Sequence, residues 1–122
     1  MKCEYVISDT GRRGAELTVD GIGELTIWKK RVTRNDAQAF DERIQALVEK
    51  IIGLSKKLAK AKGETKRKLA DEIFDANADF ICARVDGITP EQLAVIDSTD
   101  VAEISNIANK LFADTFEAKK ND

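Results

Sequence analysis

Alternation of apolar and polar residues dominates the first third of the chain and predicts β-strands. A first alternating run covers residues 2–7, and two further β-prone runs cover residues 17–19 and 25–28. The last two runs flank Asp20-Gly21-Ile22-Gly23, a sequence typical of a hairpin turn. The pattern therefore predicts three strands of a small antiparallel sheet in a β-rich segment, residues 1–32. One face of that sheet needs a helical cover.

After residue 33 the apolar period changes and predicts a long helix. Six apolar residues recur at alternating spacings of four and three, and on a helix they fall within about 80° of one another. These residues, the first-helix seam, are Phe40, Ile44, Leu47, Ile51, Leu54 and Leu58. We expect the helix to run from residue 34 to about residue 61, with Thr33 as its N-cap.

A second helix, predicted over residues 64–85, has apolar residues on two sides. Its seam contains Leu69, Ile73, Ala76, Phe80 and Ala83, and a second flank contains Ala70, Phe74, Ile81 and Val85. We expect an αα-hairpin in which the second helix packs between the first helix and another region of the fold. Asp86-Gly87 is typical of a helix C-terminus.

Two capping signals divide the last third of the chain. Thr89-Pro90-Glu91-Gln92 combines an N-cap threonine, a proline at the first helical position and a capping-box glutamine. This sequence predicts a short helix that ends near residue 96. Residues 97–100 form a second group of capping residues and open a last helix whose apolar residues extend to Phe116.

Together these patterns predict a single α+β domain over residues 1–122. A small N-terminal antiparallel β-sheet is followed by a long αα-hairpin and two C-terminal helices. The helical segment should cover residues 33–118, and residues 119–122 should form a frayed polar tail.

Charge is distributed unevenly along a chain whose formal net charge is −2. Seven basic residues and one acid lie between Lys56 and Lys68, whereas eleven acids and two basic residues lie between Asp71 and Ala118. This polarity suggests that copies of the chain associate head to tail. In that hypothesis the basic residues Lys56, Lys57, Lys60, Lys66, Arg67 and Lys68 dock onto acids of a neighbouring copy such as Asp71, Asp75, Asp97 and Asp100.

The same basic cluster has two other interpretations. Seven cations near a helical turn could neutralise several phosphates, as in a small nucleic-acid-binding regulator. No aromatic residue interleaves with them to stack on bases, and the whole chain is slightly acidic, so nucleic acid is the weaker alternative. The lysines could also form a merely solvated hairpin tip, as on any amphipathic helix.

The chain offers little for catalysis. It contains no histidine, which is the commonest general base, and its two cysteines do not have a metal-binding spacing. Gly11-Arg12-Arg13-Gly14 lacks the Lys-Ser/Thr of a phosphate-binding loop. Asp71, Asp75 and Asp79 share a helix face, which we interpret as a solvated acidic face. We therefore expect a non-enzymatic protein without cofactor or metal that acts by binding other proteins.

The sequence also bears on location. No apolar run approaches the ~18 residues that a membrane span requires, and Met1 leads straight into polar residues. We expect a cytoplasmic protein without a membrane partner.

A binding protein should carry apolar residues that its own fold leaves uncovered. We predict that Trp28, Phe112 and Phe116, together with some of the first-helix seam, contact the partner. Trp28 has two interpretations, because it could pack on the sheet or act as an exposed anchor of the kind enriched at binding hot spots. The pattern also fits a generic oligomeric adaptor protein.

The order of these elements is similar to that of a known family. Gly23-Glu24-Leu25-Thr26-Ile27-Trp28 leads through Val32-Thr33 into the helices. Phe80-Ile81-Cys82-Ala83-Arg84-Val85-Asp86-Gly87-Ile88-Thr89-Pro90-Glu91-Gln92-Leu93 is then followed by Val101-Ala102-Glu103-Ile104 and the last helix. This organisation, over most of the chain, resembles the tail assembly chaperones of long-tailed bacteriophages.

The resemblance implies a non-enzymatic protein that works in the host cytoplasm during infection. Members of that family coat the long helical tape-measure protein and keep it soluble until tail-tube subunits polymerise around it. The implied partners are therefore a tape-measure-like helical protein and the tail-tube protein, with this chain acting as an oligomer.

Overall fold

The protein has an α+β fold, as the sequence predicts. The computed structural model describes residues 1–113 and 115–117, so the predicted frayed tail lies outside the described residues. The elements in chain order are β1 (Lys2–Ile7), β2 (Arg13–Val19), β3 (Gly23–Lys29), α1 (Ala37–Lys60), α2 (Glu64–Arg84), β4 (Val85–Asp86), α3 (Pro90–Leu93) and α4 (Ser98–Leu111).

The sheet is antiparallel with the strand order β1-β2-β3-β4. The predicted hairpin is confirmed, since Val19 of β2 lies opposite Gly23 of β3. Strand alternation gives the sheet one apolar face, whose buried residues are Ala15, Leu17, Val19, Ile27 and Val85. Helix α4 packs on β2 and buries its own apolar residues, so the last helix supplies the expected cover for the sheet.

The fourth strand is a correction to the prediction. We expected the second helix to include Val85 and Asp86-Gly87 to end it, but the helix ends at Arg84 and the next two residues pair with Lys29 and Trp28. The outer edge of β3 carries backbone groups that need partners, and an extended Val85 also places its side chain on the buried face of the sheet. The pairing of β4 with β3 therefore stabilises the fold more than one further helical residue at the end of α2 would.

Side chains reinforce this short strand from its open side. Arg12 donates from Nη2 to Oδ2 of Asp86 and from Nε to the carbonyl oxygen of Lys29 at 2.8 Å. The ammonium of Lys30 lies 3.6 Å from Oδ1 of Asp86, and its backbone N–H donates to the carbonyl oxygen of Arg84 at 2.8 Å. The carboxylate of Asp86 therefore interacts with two cationic side chains, Arg12 and Lys30, that lie far from it in sequence.

Helix ends agree only partly with the predictions. The capping box at Thr89 is confirmed in both directions, although α3 ends at Leu93 and not near residue 96. Helix α1 begins at Ala37, and Thr33 does not cap it, because its hydroxyl donates instead to Oδ2 of Asp36 at 2.8 Å. Asp36 takes the N-cap position without a side-chain cap hydrogen bond.

The chain folds into two compact units. Of the described residues, 1–30, 84–113 and 115–117 form the sheet unit, and residues 31–83 form the hairpin unit. The predicted single domain, with a β-rich segment over residues 1–32 and a helical segment over residues 33–118, stays a prediction. The sheet unit includes α3 and α4 in addition to the four strands.

The N-cap of α4 should give the protein a pH-dependent stability. The backbone N–H of Thr99 donates to Oδ1 of Asp97 at 2.7 Å, and this hydrogen bond, with a further one from the Thr99 side chain, holds the pKa of Asp97 below its ordinary value of 3.8. A lowered pKa stabilises the fold above pH 3.8, and this contribution is lost as the pH falls through the folded-state pKa.

Asp97→Asn should isolate that contribution, because asparagine also caps helices but does not titrate. We expect the variant to melt below the wild type at about pH 6 and to approach it at about pH 3, as followed by circular dichroism. A difference in melting temperature that stays constant between the two pH values would contradict the assignment.

Candidate protein-binding surface

Helix α1 buries little of its apolar surface. Among its 24 residues, all of which the structure describes, only Leu54 is buried. The other five members of the first-helix seam are half-buried. On α2 the seam residues Leu69, Ile73 and Phe80 are likewise half-buried. The predicted seams therefore exist on both helices, but the hairpin alone does not enclose them.

A second apolar surface lies beside the seams. Each residue's position around its helix axis can be given as an angle from the centre of the seam. On α1, Val48 and Ile52 lie at about 80–120°, and on α2, Ala70 and Phe74 lie at about 100–140°. When two antiparallel helices pack with their seams facing each other, residues at the same angle from the two seams lie on the same side of the helix pair. These four residues, the apolar flank, therefore share one side of the hairpin.

The apolar flank is open to solvent. Ile52 is 50% exposed, Ala70 is exposed, and Val48 and Phe74 are half-buried. We predicted that another element would cover the second side of α2. Away from the seam, Ala78 and Ile81 in the C-terminal half of the helix are buried, whereas Ala70 and Phe74 are not. The middle of the hairpin thus presents apolar side chains that no described residue encloses.

Charge is polarised along the same hairpin. Residues 50–68, the tip, contain eight basic residues and one acid, for a net charge of +7. Residues 36–49 and 69–83, the base, contain eight acids and one basic residue, for a net charge of −7. Every basic residue predicted for self-association is exposed on the tip, namely Lys56, Lys57, Lys60, Lys66, Arg67 and Lys68.

The four predicted acceptor acids fall in different units. Asp71 and Asp75 are exposed on α2 within the base of the hairpin. Asp97 and Asp100 belong to the sheet unit, at the start of α4, where Asp97 caps the helix through the N–H of Thr99. Of the four, only Asp71 and Asp75 belong to the polarised hairpin.

Phe112 and Phe116, which we predicted to contact the partner, are half-buried. Helix α4 ends at Leu111, so both aromatic residues lie beyond the helix on which we placed them. The ring of Phe112 lies 4.8 Å from Nζ of Lys29. The ring of Phe116 meets Tyr5 edge-on at a centroid distance of 5.6 Å.

Arginines, which the sequence did not single out, hold this C-terminal segment in place. Arg13 lies 5.0 Å from the ring centre of Phe116 and donates to the carbonyl oxygens of Leu111 and Ala113 at 3.1 Å and 2.6 Å. Arg84 is buried and donates to Oδ1 of Asn109 at 2.5 Å. Desolvation lowers the pKa of the Arg84 guanidinium.

Trp28 packs on the sheet. It lies directly opposite Gly14 of β2, and its indole is so close that a Cβ atom on Gly14 would collide with the ring carbons Cε3 and Cζ3. The side chain is half-buried. Of the two interpretations, the structure shows the sheet contact, and the role of Trp28 as a partner anchor stays a prediction.

The sheet unit carries two shallow hollows. One, of 680 Å³, is lined mainly by polar residues of β1, β2 and β3 such as Lys2, Glu16 and Glu24. The other, of 310 Å³, lies between β1 and α4 beside Cys3 and Tyr5. Within residues 1–113 and 115–117, no three His, Cys, Asp or Glu residues are grouped so that they could hold a metal ion.

None of the helices that the structure describes is both long enough and apolar enough to cross a lipid bilayer. No protein-family model, curated protein or solved structure matches the chain.

Proposed function

We propose that this chain is a non-enzymatic binding protein whose helical hairpin covers an apolar stripe on a helical partner. The observation that carries the proposal is the exposure of α1, a 24-residue helix with a six-residue apolar seam of which only Leu54 is buried. Beside the seam, the apolar flank adds Val48, Ile52, Ala70 and Phe74.

An amphipathic helix is the partner that best fits this surface. A hairpin with apolar residues on one side offers a groove between its two helices, and helices bind in such grooves through residues spaced three and four apart. Burying the exposed half of Ile52 contributes about 1 kcal/mol. Val48, Ala70, Phe74 and the adjoining half-buried seam add further apolar area to the contact.

Within this class of binding protein, we propose a tail assembly chaperone that binds a tape-measure protein and assists tail-tube assembly. The support is the resemblance in the order of elements and the confirmed capping box at Thr89, which belongs to the quoted pattern. A tape-measure protein is a long helical chain with apolar stripes, and such stripes aggregate unless a partner covers them.

The genome gives the first test of this proposal. A reading frame for a very long helical protein should lie just downstream of the gene for this chain. Co-expression of that protein with the chain should raise its soluble fraction several-fold, and the two proteins should co-elute. If no such reading frame exists, or if co-expression leaves solubility unchanged, the chaperone proposal fails.

Variants on α1 show whether the hairpin is the binding surface. Val48→Ser/Ile52→Ser removes apolar surface from the flank, and we expect it to abolish co-elution. Ala39→Ser/Ala46→Ser is the matched control, because both alanines are exposed on the opposite side of the same helix. Equal co-elution of the two double variants would place the binding surface elsewhere.

A further inference from the structure

We propose that in the free protein the apolar flank is covered by the same flank of a second copy, with the two hairpins antiparallel in a four-helix bundle. The contact is isologous, because each copy contributes the same surface. The sequence suggested an open head-to-tail assembly of many copies, and this proposal replaces it with a closed two-fold dimer.

Incomplete burial gives the reason for a contact on this side. Two helices alone cannot enclose an apolar surface that extends beyond their common seam, and the usual solution is a second layer of helices. In the hairpin unit Ile52 is 50% exposed, and Val48 and Phe74 are only half-buried. A second hairpin on this side would enclose all three.

The charge pattern identifies the occupant as a second copy. The tip carries a net charge of +7 and the base carries −7. Antiparallel hairpins place each tip on the base of the other copy, so both contacts are attractive, whereas parallel hairpins place like charges together. Packed helices lie about 8–10 Å apart, which is close to the Debye length at physiological salt, so the charges at the edges of the contact are not fully screened.

The positions of individual charges agree with this arrangement. Counted from the connection at residues 61–63, Ile52 and Phe74 lie near the same height on the hairpin. From their mean height, Asp41 lies about 15 Å toward the base and Lys66 about 10 Å toward the tip, both on the side of the apolar flank. A two-fold axis that lies between the stacked flanks and crosses the helices places the acidic base of each copy, with Asp41, over the basic tip of the other, with Lys66.

The mass of the free protein is the first measurement. Sedimentation equilibrium at micromolar concentration should give a dimer whose dissociation constant rises with salt. Ile52→Ser should raise that constant at least tenfold, and Ala46→Ser, on the opposite side of α1, should leave it within twofold. A wild-type monomer at all concentrations would overturn the proposal and leave the proposed partner binding untouched, because the dimer does not depend on that function.

Charge reversal distinguishes antiparallel from parallel packing. The tip variant is Lys66→Glu/Arg67→Glu, the base variant is Asp41→Lys/Glu42→Lys, and all four positions are exposed. Each variant alone should dimerise at least tenfold more weakly than the wild type. Each pair of substitutions lowers the tip from +7 to +3 or the base from −7 to −3, which weakens the attraction between unlike ends in an antiparallel dimer. In a parallel dimer the same change weakens the repulsion between like ends, so tighter dimerisation of either variant would overturn the proposal.

Mixing completes the test. In the antiparallel dimer, the chain with all four substitutions should bind a tagged wild-type chain more tightly than it binds itself, because each of its weakly charged ends then faces a fully charged end of opposite sign. A parallel dimer gives the reverse result, in which that chain binds itself more tightly than it binds the wild type. That reverse result would overturn the proposal, and unchanged helicity by circular dichroism shows that the variants remain folded.

Discussion

Gly87→Ala should destabilise the sheet unit by about 3–5 kcal/mol, a large fraction of the stability of a small protein. Gly87 has φ +103°, a conformation that residues with a side chain rarely adopt. A Cβ atom there would also collide with the carbonyl oxygen of Thr26, which is backbone and cannot rotate away. The variant must therefore separate β4 from β3 or distort the turn that leads to α3.

Urea unfolding followed by fluorescence measures this effect, because Trp28 is the only tryptophan and lies opposite Asp86 in the affected sheet. Gly53→Ala is the matched control. Gly53 lies inside α1 with nothing within 4 Å of an added Cβ atom, so alanine should stabilise the hairpin by about 1 kcal/mol, as seen in the far-ultraviolet ellipticity. The assignment of Gly87 would be wrong if both substitutions shifted stability in the same direction.

The pairing of β4 could not be read from the sequence. A strand of two residues has no period, and Val85 also continues the apolar pattern of α2, so local propensity and pattern both favoured a longer helix. The deciding factors are the open edge of β3 and the cations Arg12 and Lys30, which meet Asp86 only once the chain has folded. Contacts of this kind leave no signal in a local window.

Elements that depend on local chemistry were predicted well. The capping box at Thr89 satisfies backbone groups within four residues, and the hairpin at residues 20–23 depends on glycine at its turn. Strand alternation is also a local feature, and it places Leu25 and Ile27 on the same face of the sheet as the β2 residues Leu17 and Ala15. These features need no knowledge of distant contacts.

The candidate surface was only partly predicted. A narrow seam on the first helix was visible from spacing, and in the structure five of its six residues are half-buried and Leu54 is buried. The placement of Phe112 and Phe116 on the last helix was wrong because an apolar period does not show where a helix ends. Their contacts with Lys29 and Arg13 come from strands far away in sequence, so no local pattern could predict them, and their role in partner binding stays a prediction. Ile52 lay outside the narrow seam and was therefore missed.

Ile104→Ala and Ile52→Ala should show where the stability of the folded chain resides. Ile104 is fully buried on α4, in the layer that covers the sheet, so its truncation leaves a cavity and should cost about 3–4 kcal/mol. Ile52 is 50% exposed on α1, and the same truncation in the monomer should cost about 0.5 kcal/mol or less. The chemical change is identical, and only the surroundings differ.

Measuring the free energy of unfolding of both variants at low and at high protein concentration then tests whether the apolar flank is a contact between copies. The large effect of Ile104→Ala should be independent of concentration, because the cavity lies inside one chain. The effect of Ile52→Ala should grow as the concentration rises, because a side chain that a second copy covers contributes only in the dimer. A concentration-independent loss of several kcal/mol at Ile52 would show instead that this residue belongs to the internal core and that the apolar flank is not a binding surface.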